Sequence, residues 1–216
     1  MISKSYVRTI TWVAIFAIAM AYVESAVVVY LRDIFHPEGF EFPLKEFHDY
    51  KIGVELFREA ATIFMLIAIA ALAGTKLWER FAYFIFSFGI WDIFYYVWLK
   101  VILDWPSTLF DWDVLFLIPV PWIGPVIAPV SVSVLMIVFS IIMVRSIQAG
   151  LEFRPALLSL IVAIVATSVI LYSFMYDTDA TFKLQMPKPY RYDLLIIGDT
   201  MYIAAFVISY LKSNKM

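Results

Sequence analysis

Long apolar runs separated by short polar connections leave this chain few ways to fold. A helix needs about 20 apolar residues to cross the ~30 Å hydrocarbon core of a bilayer, and runs approaching that length fill most of the sequence. Only 16% of the residues are charged and 63% are hydrophobic, where an ordinary soluble domain carries about 25% charge. The expected fold class is therefore all-α: a polytopic membrane bundle of about six transmembrane helices. It reads as one membrane domain over residues 1–216, with the lipid bilayer as its first partner.

The expected spans are residues 7–31, 53–73, 81–103, 122–144, 155–176 and 194–211. The second has an uninterrupted apolar stretch of only 14 residues, 60–73, about 21 Å of helix. To cross, it must extend back through Gly53 and carry Glu55, Arg58 and Glu59 with it. Before the fourth span, Trp105, Pro106, Trp112, Pro119, Pro121 and Trp122 make a Pro/Trp-rich loop. Its apolar residues 114–118 suit an interfacial or re-entrant segment, and the prolines should break or kink the start of the fourth helix. Lys4, Arg8 and Ala19-Met20-Ala21 resemble a signal peptide. The apolar run continues to Leu31, however, so the segment reads as an uncleaved first helix.

Six spans put both termini on one side. That side carries Lys4, Arg8, Lys76, Arg80, Arg145, Arg154, Lys212 and Lys215, opposed by Glu79 and Glu152. The other connections are acid-rich but also hold Arg32, Lys45, Lys51, Lys183, Lys188 and Arg191. Counting Lys and Arg, the termini are expected in the cytoplasm of a cell-membrane protein, with the acidic loops extracytoplasmic. The chain has no cysteine, which excludes disulfides, thiolate metal sites, iron–sulfur clusters and covalent c-type haem. A formal net charge of −2 with no basic stripe gives no reason to expect nucleic acid.

The charges inside the spans carry the functional reading. A carboxylate at membrane depth is expensive and marks a functional site by default. Counted from the acidic end at ~1.5 Å per residue, Glu24, Glu59 and Asp92 each lie about 12 Å deep, Asp199 about 9 Å and Glu55 about 6 Å. Acids from four helices thus share one level. Asp92, Tyr96 and Lys100 stack on one helix face, as do Glu55, Arg58, Glu59 and Thr62. Arg58, and more distantly Lys100 and Arg32, leave a surplus of acid that must be protonated, hydrated or bound to a cation.

Bland alternatives stand beside each residue. Glu55, Arg58 and Glu59 suit a solvated helix start, Asp92 a structural pair with Lys100, Tyr or Arg58, and Asp199 a bond to a neighbouring helix. His36 and His48 read as loop histidines, and Asp111-Trp112-Asp113 and Asp177-Thr178-Asp179 are weak metal signals.

The first expectation is a divalent metal ion held by Glu24, Glu55, Glu59, Asp92 and Asp199. Such a site would bind metal or catalyse a metal-assisted reaction on a membrane or lipid-like substrate, with Asp92, Tyr96 and Arg58 in reacting roles. The alternatives are a proton- or cation-coupled transporter or channel, and a non-catalytic membrane subunit or assembly factor.

Overall fold

A computed structural model describes residues 4–35, 39–43 and 49–213; His36 and His48 fall outside them. The described chain is mostly helical, and six of its helices are long and apolar enough to cross a membrane. These are α1 (Lys4–Phe35), α2 (Asp49–Ala73), α3 (Leu77–Leu103), α4 (Ile127–Gln148), α5 (Leu157–Met175) and, after a one-turn α6 (Asp179–Phe182), α7 (Tyr192–Ser213). Their outward faces keep large apolar side chains exposed, among them Trp12, Phe64, Leu72 and Ile164, as helices facing lipid do.

The third helix is the hub: α1, α2 and α4 all pack on α3, while α5 and α7 pack chiefly on each other and join the rest through α4 and the hairpin. Small residues set the close crossings. Ala17 and Ala21 of α1 are fully buried beside Met20, Leu66 and Trp91, and the Trp98 indole N–H bonds the Ile18 carbonyl at 3.1 Å. Gly89 of α3 meets α4 so closely that a Cβ there would stand 2.7 Å from the Ser133 carbonyl oxygen. Gly198 of α7 likewise admits Ile170 of α5.

The connection from α3 to α4 corrects one expected boundary. Residues 122–125 are not helical: β1 (Trp112–Phe116) and β2 (Trp122–Pro125) form an antiparallel hairpin, with Asp113 opposite Gly124 and Val114 opposite Ile123. Val114, Leu115, Phe116, Trp122 and Ile123 are the branched and aromatic types that suit a strand. Pro119 and Pro121, which lack an N–H, lie between the strands. Instead of kinking a longer helix, Pro129 falls in the first turn of α4, where its missing N–H costs nothing. Backbone bonds from Val126 N–H to Asp111 and from Ile127 N–H to Leu109 tie the hairpin base to the helix start.

Candidate functional site

The hairpin lies over the acid-rich level of the helices, and polar side chains hold it there. The guanidinium of Arg58 pairs with Glu24 of α1 and with Glu55 one turn earlier on α2, its Nε reaching Glu55 Oε1 at 2.8 Å. The Thr62 hydroxyl donates to the other oxygen of Glu24 at 2.6 Å. Glu24 is only 4% exposed, and removing one partner of so buried a pair costs about 3–5 kcal/mol.

Two further contacts reach the hairpin itself. The Glu59 carboxylate accepts the Leu117 N–H, at 3.0 and 2.9 Å to its two oxygens. Arg32, at the end of α1, bonds Asp113 of β1 at 3.2 Å. Its guanidinium lies 4.1 Å from the Phe40 ring centre and 3.8 Å from that of Trp105, so two aromatic faces fix its plane. Burial pushes the Asp113 carboxyl above the usual aspartate range, and the Arg32 charge offsets this only in part. Tyr96 lies beside Asp113. Tyr95 lies in the combined field of Asp113, Arg32, Arg58 and Glu55, which links the Arg58 and Arg32 clusters.

Asp92 has neither arginine. It accepts the Ser133 hydroxyl of α4 at 2.8 Å, a contact that the close crossing at Gly89 permits. Lys100, expected to cap the Asp92–Tyr96 ladder, turns instead to Asp104 at 2.7 Å and is exposed. Asp199 stands apart from the other acids, across α4: it faces Ser131, two residues from Ser133 and hence on the opposite flank of the helix. Among the described residues, four buried polar atoms have no hydrogen-bond partner: Trp91 Nε1, Asp113 Oδ2, Trp122 Nε1 and Asp199 Oδ1.

A further acid is more deeply built in than its sequence context suggested. Glu79, flanked by Lys76 and Arg80, reads as part of a solvated turn. It is only 4% exposed and receives the N–H and hydroxyl of Thr75, both at 2.7 Å, and the Gln148 amide at 3.0 Å. Tyr83 and Ser87 follow at four-residue intervals, both buried, and Tyr96 is buried nearer the hairpin. With Asp92, these residues put polar groups on α3 from one end of its span to the other. The i, i+4 spacing of Glu79, Tyr83 and Ser87 was the available signal.

Among the described residues, no group of three or more His, Asp or Glu side chains is arranged to hold a metal ion. Glu24 and Glu55 converge on the Arg58 guanidinium, Glu59 turns to the hairpin backbone, and Asp92 and Asp199 occupy opposite sides of α4. No protein-family model, curated protein or solved structure matches the chain.

Proposed function

We propose that this multi-pass membrane protein conducts protons, as a transporter or channel, by way of the buried polar groups of α3. One observation carries the reading: Glu79, Tyr83, Ser87 and Tyr96 are all buried along one helix, and Asp92 between them bonds Ser133. Glu79 and Asp92 are 13 residues apart, about 20 Å of helix axis. A line confined to the acidic half of the bilayer could serve only a one-sided pocket; Glu79 extends it to the other end. Ser87 and Asp92 are about 7.5 Å apart along the axis and about 140° apart around the helix, so the step between them requires several waters passing round α3.

The charge balance supports the same function. Glu24, Glu55, Glu59, Asp92 and Asp113 share Arg58 and Arg32, and among the described residues neither Glu59 nor Asp92 has a cation bonded to it. Buried acids without a cationic partner carry protons or bind a mobile cation. A divalent metal at this level would have to displace Arg58 from Glu24 and Glu55, so the metal reading ranks behind the proton one. In this account the hairpin is a re-entrant cap on the extracytoplasmic face, and the termini are cytoplasmic.

Protein-containing vesicles with an internal pH dye should show a pH change when a potassium diffusion potential is imposed. Asp92→Asn should abolish it and Glu79→Gln should slow it. Wild-type flux equal to that of empty vesicles, or unchanged flux in Asp92→Asn, overturns the proposal. A purely architectural role is favoured by the Glu59 and Arg32 contacts to the hairpin. It predicts that both variants lose thermal stability while no flux is seen in any protein.

A further inference from the structure

Beside the hairpin, the connection between α5 and α7 forms a shallow cleft lined by Trp112, Ile123, Tyr176, Lys188, Tyr190 and Arg191. We propose that this cleft binds the phosphate of a phospholipid headgroup, held between Lys188 and Arg191. This goes beyond the proton line and does not depend on it.

Two cations converge on one aromatic ring. Lys188 Nζ lies 5.7 Å and Arg191 Cζ 5.6 Å from the centre of the Tyr176 ring. Like charges brought to one ring repel unless an anion lies between them. The nearby acids fill that role poorly. Asp177 accepts the Lys188 backbone N–H at 2.7 Å, leaving the ammonium 3.6 Å from its carboxylate, beyond hydrogen-bond distance. Asp193 takes the Nε and Nη2 of Arg191, but the pair is solvent-exposed, and exposed pairs contribute only about 0–1 kcal/mol. A phosphate offers several charged oxygens to both cations at once, which neither aspartate does.

The surroundings favour a lipid as the source of that phosphate. The same connection exposes Phe182, Leu184 and Met186 between and beside Lys183 and Lys188. The membrane-facing ends of α5 and α7 expose Tyr172 and Tyr192. Apolar and aromatic side chains interleaved with lysines are suited to headgroup depth, where the apolar parts enter the acyl boundary and the ammonium groups remain in the polar layer.

Native mass spectrometry of the detergent-purified full chain tests this with phosphatidylglycerol against diacylglycerol of the same acyl chains. The phospholipid should be retained over diacylglycerol by about tenfold, the effect of one charge-assisted contact. Lys188→Gln/Arg191→Gln should remove the preference. Lys183→Gln, whose lysine pairs with Asp179 at 2.7 Å, should keep it, and circular dichroism should show both variants folded. Equal retention of the two lipids, or a double variant that behaves as wild type, overturns the site. Inorganic phosphate competing as strongly per molecule as the lipid overturns the lipid as its source.

Discussion

Gly89 and Ser133 bring α3 and α4 into backbone contact: a Cβ on Gly89 would stand 2.7 Å from the Ser133 carbonyl oxygen and 2.9 Å from Ile137 Cγ1. That crossing carries the Ser133 hydroxyl to Asp92. Gly89→Ala must push the helices apart, and overpacking of this kind costs about 1–3 kcal/mol. The expected result is a lower melting temperature in detergent. Gly53→Ala, where nothing lies within 4 Å, gains helix propensity of up to about 1 kcal/mol. It should therefore leave the melting temperature unchanged or raised. Equal losses in the two variants would contradict the crossing as described.

The Arg32–Asp113 pair predicts a rescue. Arg32→Met leaves Asp113 buried without its cation and should destabilise the protein by about 3–5 kcal/mol. Arg32→Met/Asp113→Asn removes both charges and should recover most of the loss. Chemical unfolding of the single and double variants measures the coupling, and simple additivity would show that the two residues do not act as a pair.

The hairpin should be held by Glu59. A buried donor left without its acceptor costs about 1–3 kcal/mol, so Glu59→Met should speed hydrogen exchange at the Leu117 amide by about 10- to 100-fold. Exchange in the middle of α4 should not change. Protection at Leu117 that survives the substitution would remove Glu59 as the anchor.

Two neighbouring acids should respond to pH with opposite signs. At Asp111, burial raises the carboxyl, but hydrogen bonds from Ser107 and Thr108 outweigh it and hold the group below the usual aspartate range. Its stabilising effect is present above the unfolded value of ~3.9 and is lost as pH falls through the lower folded value. At Asp113 the folded value is raised; its contribution is present below the unfolded value and is lost as pH rises through the folded one. Melting temperatures measured from about pH 3 to 7 should show Asp111→Asn flattening the acid limb. Asp113→Asn should flatten the rise in cost towards neutrality. The reverse assignment would refute both environments.

What the sequence made legible was the part set by the bilayer. Apolar runs locate all six spans, and counting along their helices brings Glu24 and Glu59 to one level on α1 and α2. The pairing of Glu24 with Arg58 depends on how α1 and α2 are rotated against each other, which depth alone does not specify. The hairpin escaped because strand pairing joins residues 112–116 to residues 122–125 through a turn, whereas local composition showed only an apolar stretch and prolines. Asp199 matched the others in depth, but α4 stands between it and Asp92, and no one-dimensional count detects an intervening helix. Glu79 escaped because its neighbours Lys76 and Arg80 suggest water, while its burial comes from Thr75 and the distant Gln148.

The Glu24–Arg58 pair also bears on how the chain enters a membrane. On insertion scales a charge at the centre of a lone helix costs about 2.5–3.5 kcal/mol, so α1 bearing Glu24 and α2 bearing Arg58 would each be penalised if released into lipid separately. The two residues lie on consecutive helices and cancel once those helices meet. Since α1 and α2 each pack chiefly on α3, the pair closes as α3 joins them, and these three helices are the smallest unit in which both penalties are offset. The later helices then assemble on a surface where Glu24 and Arg58 are already paired.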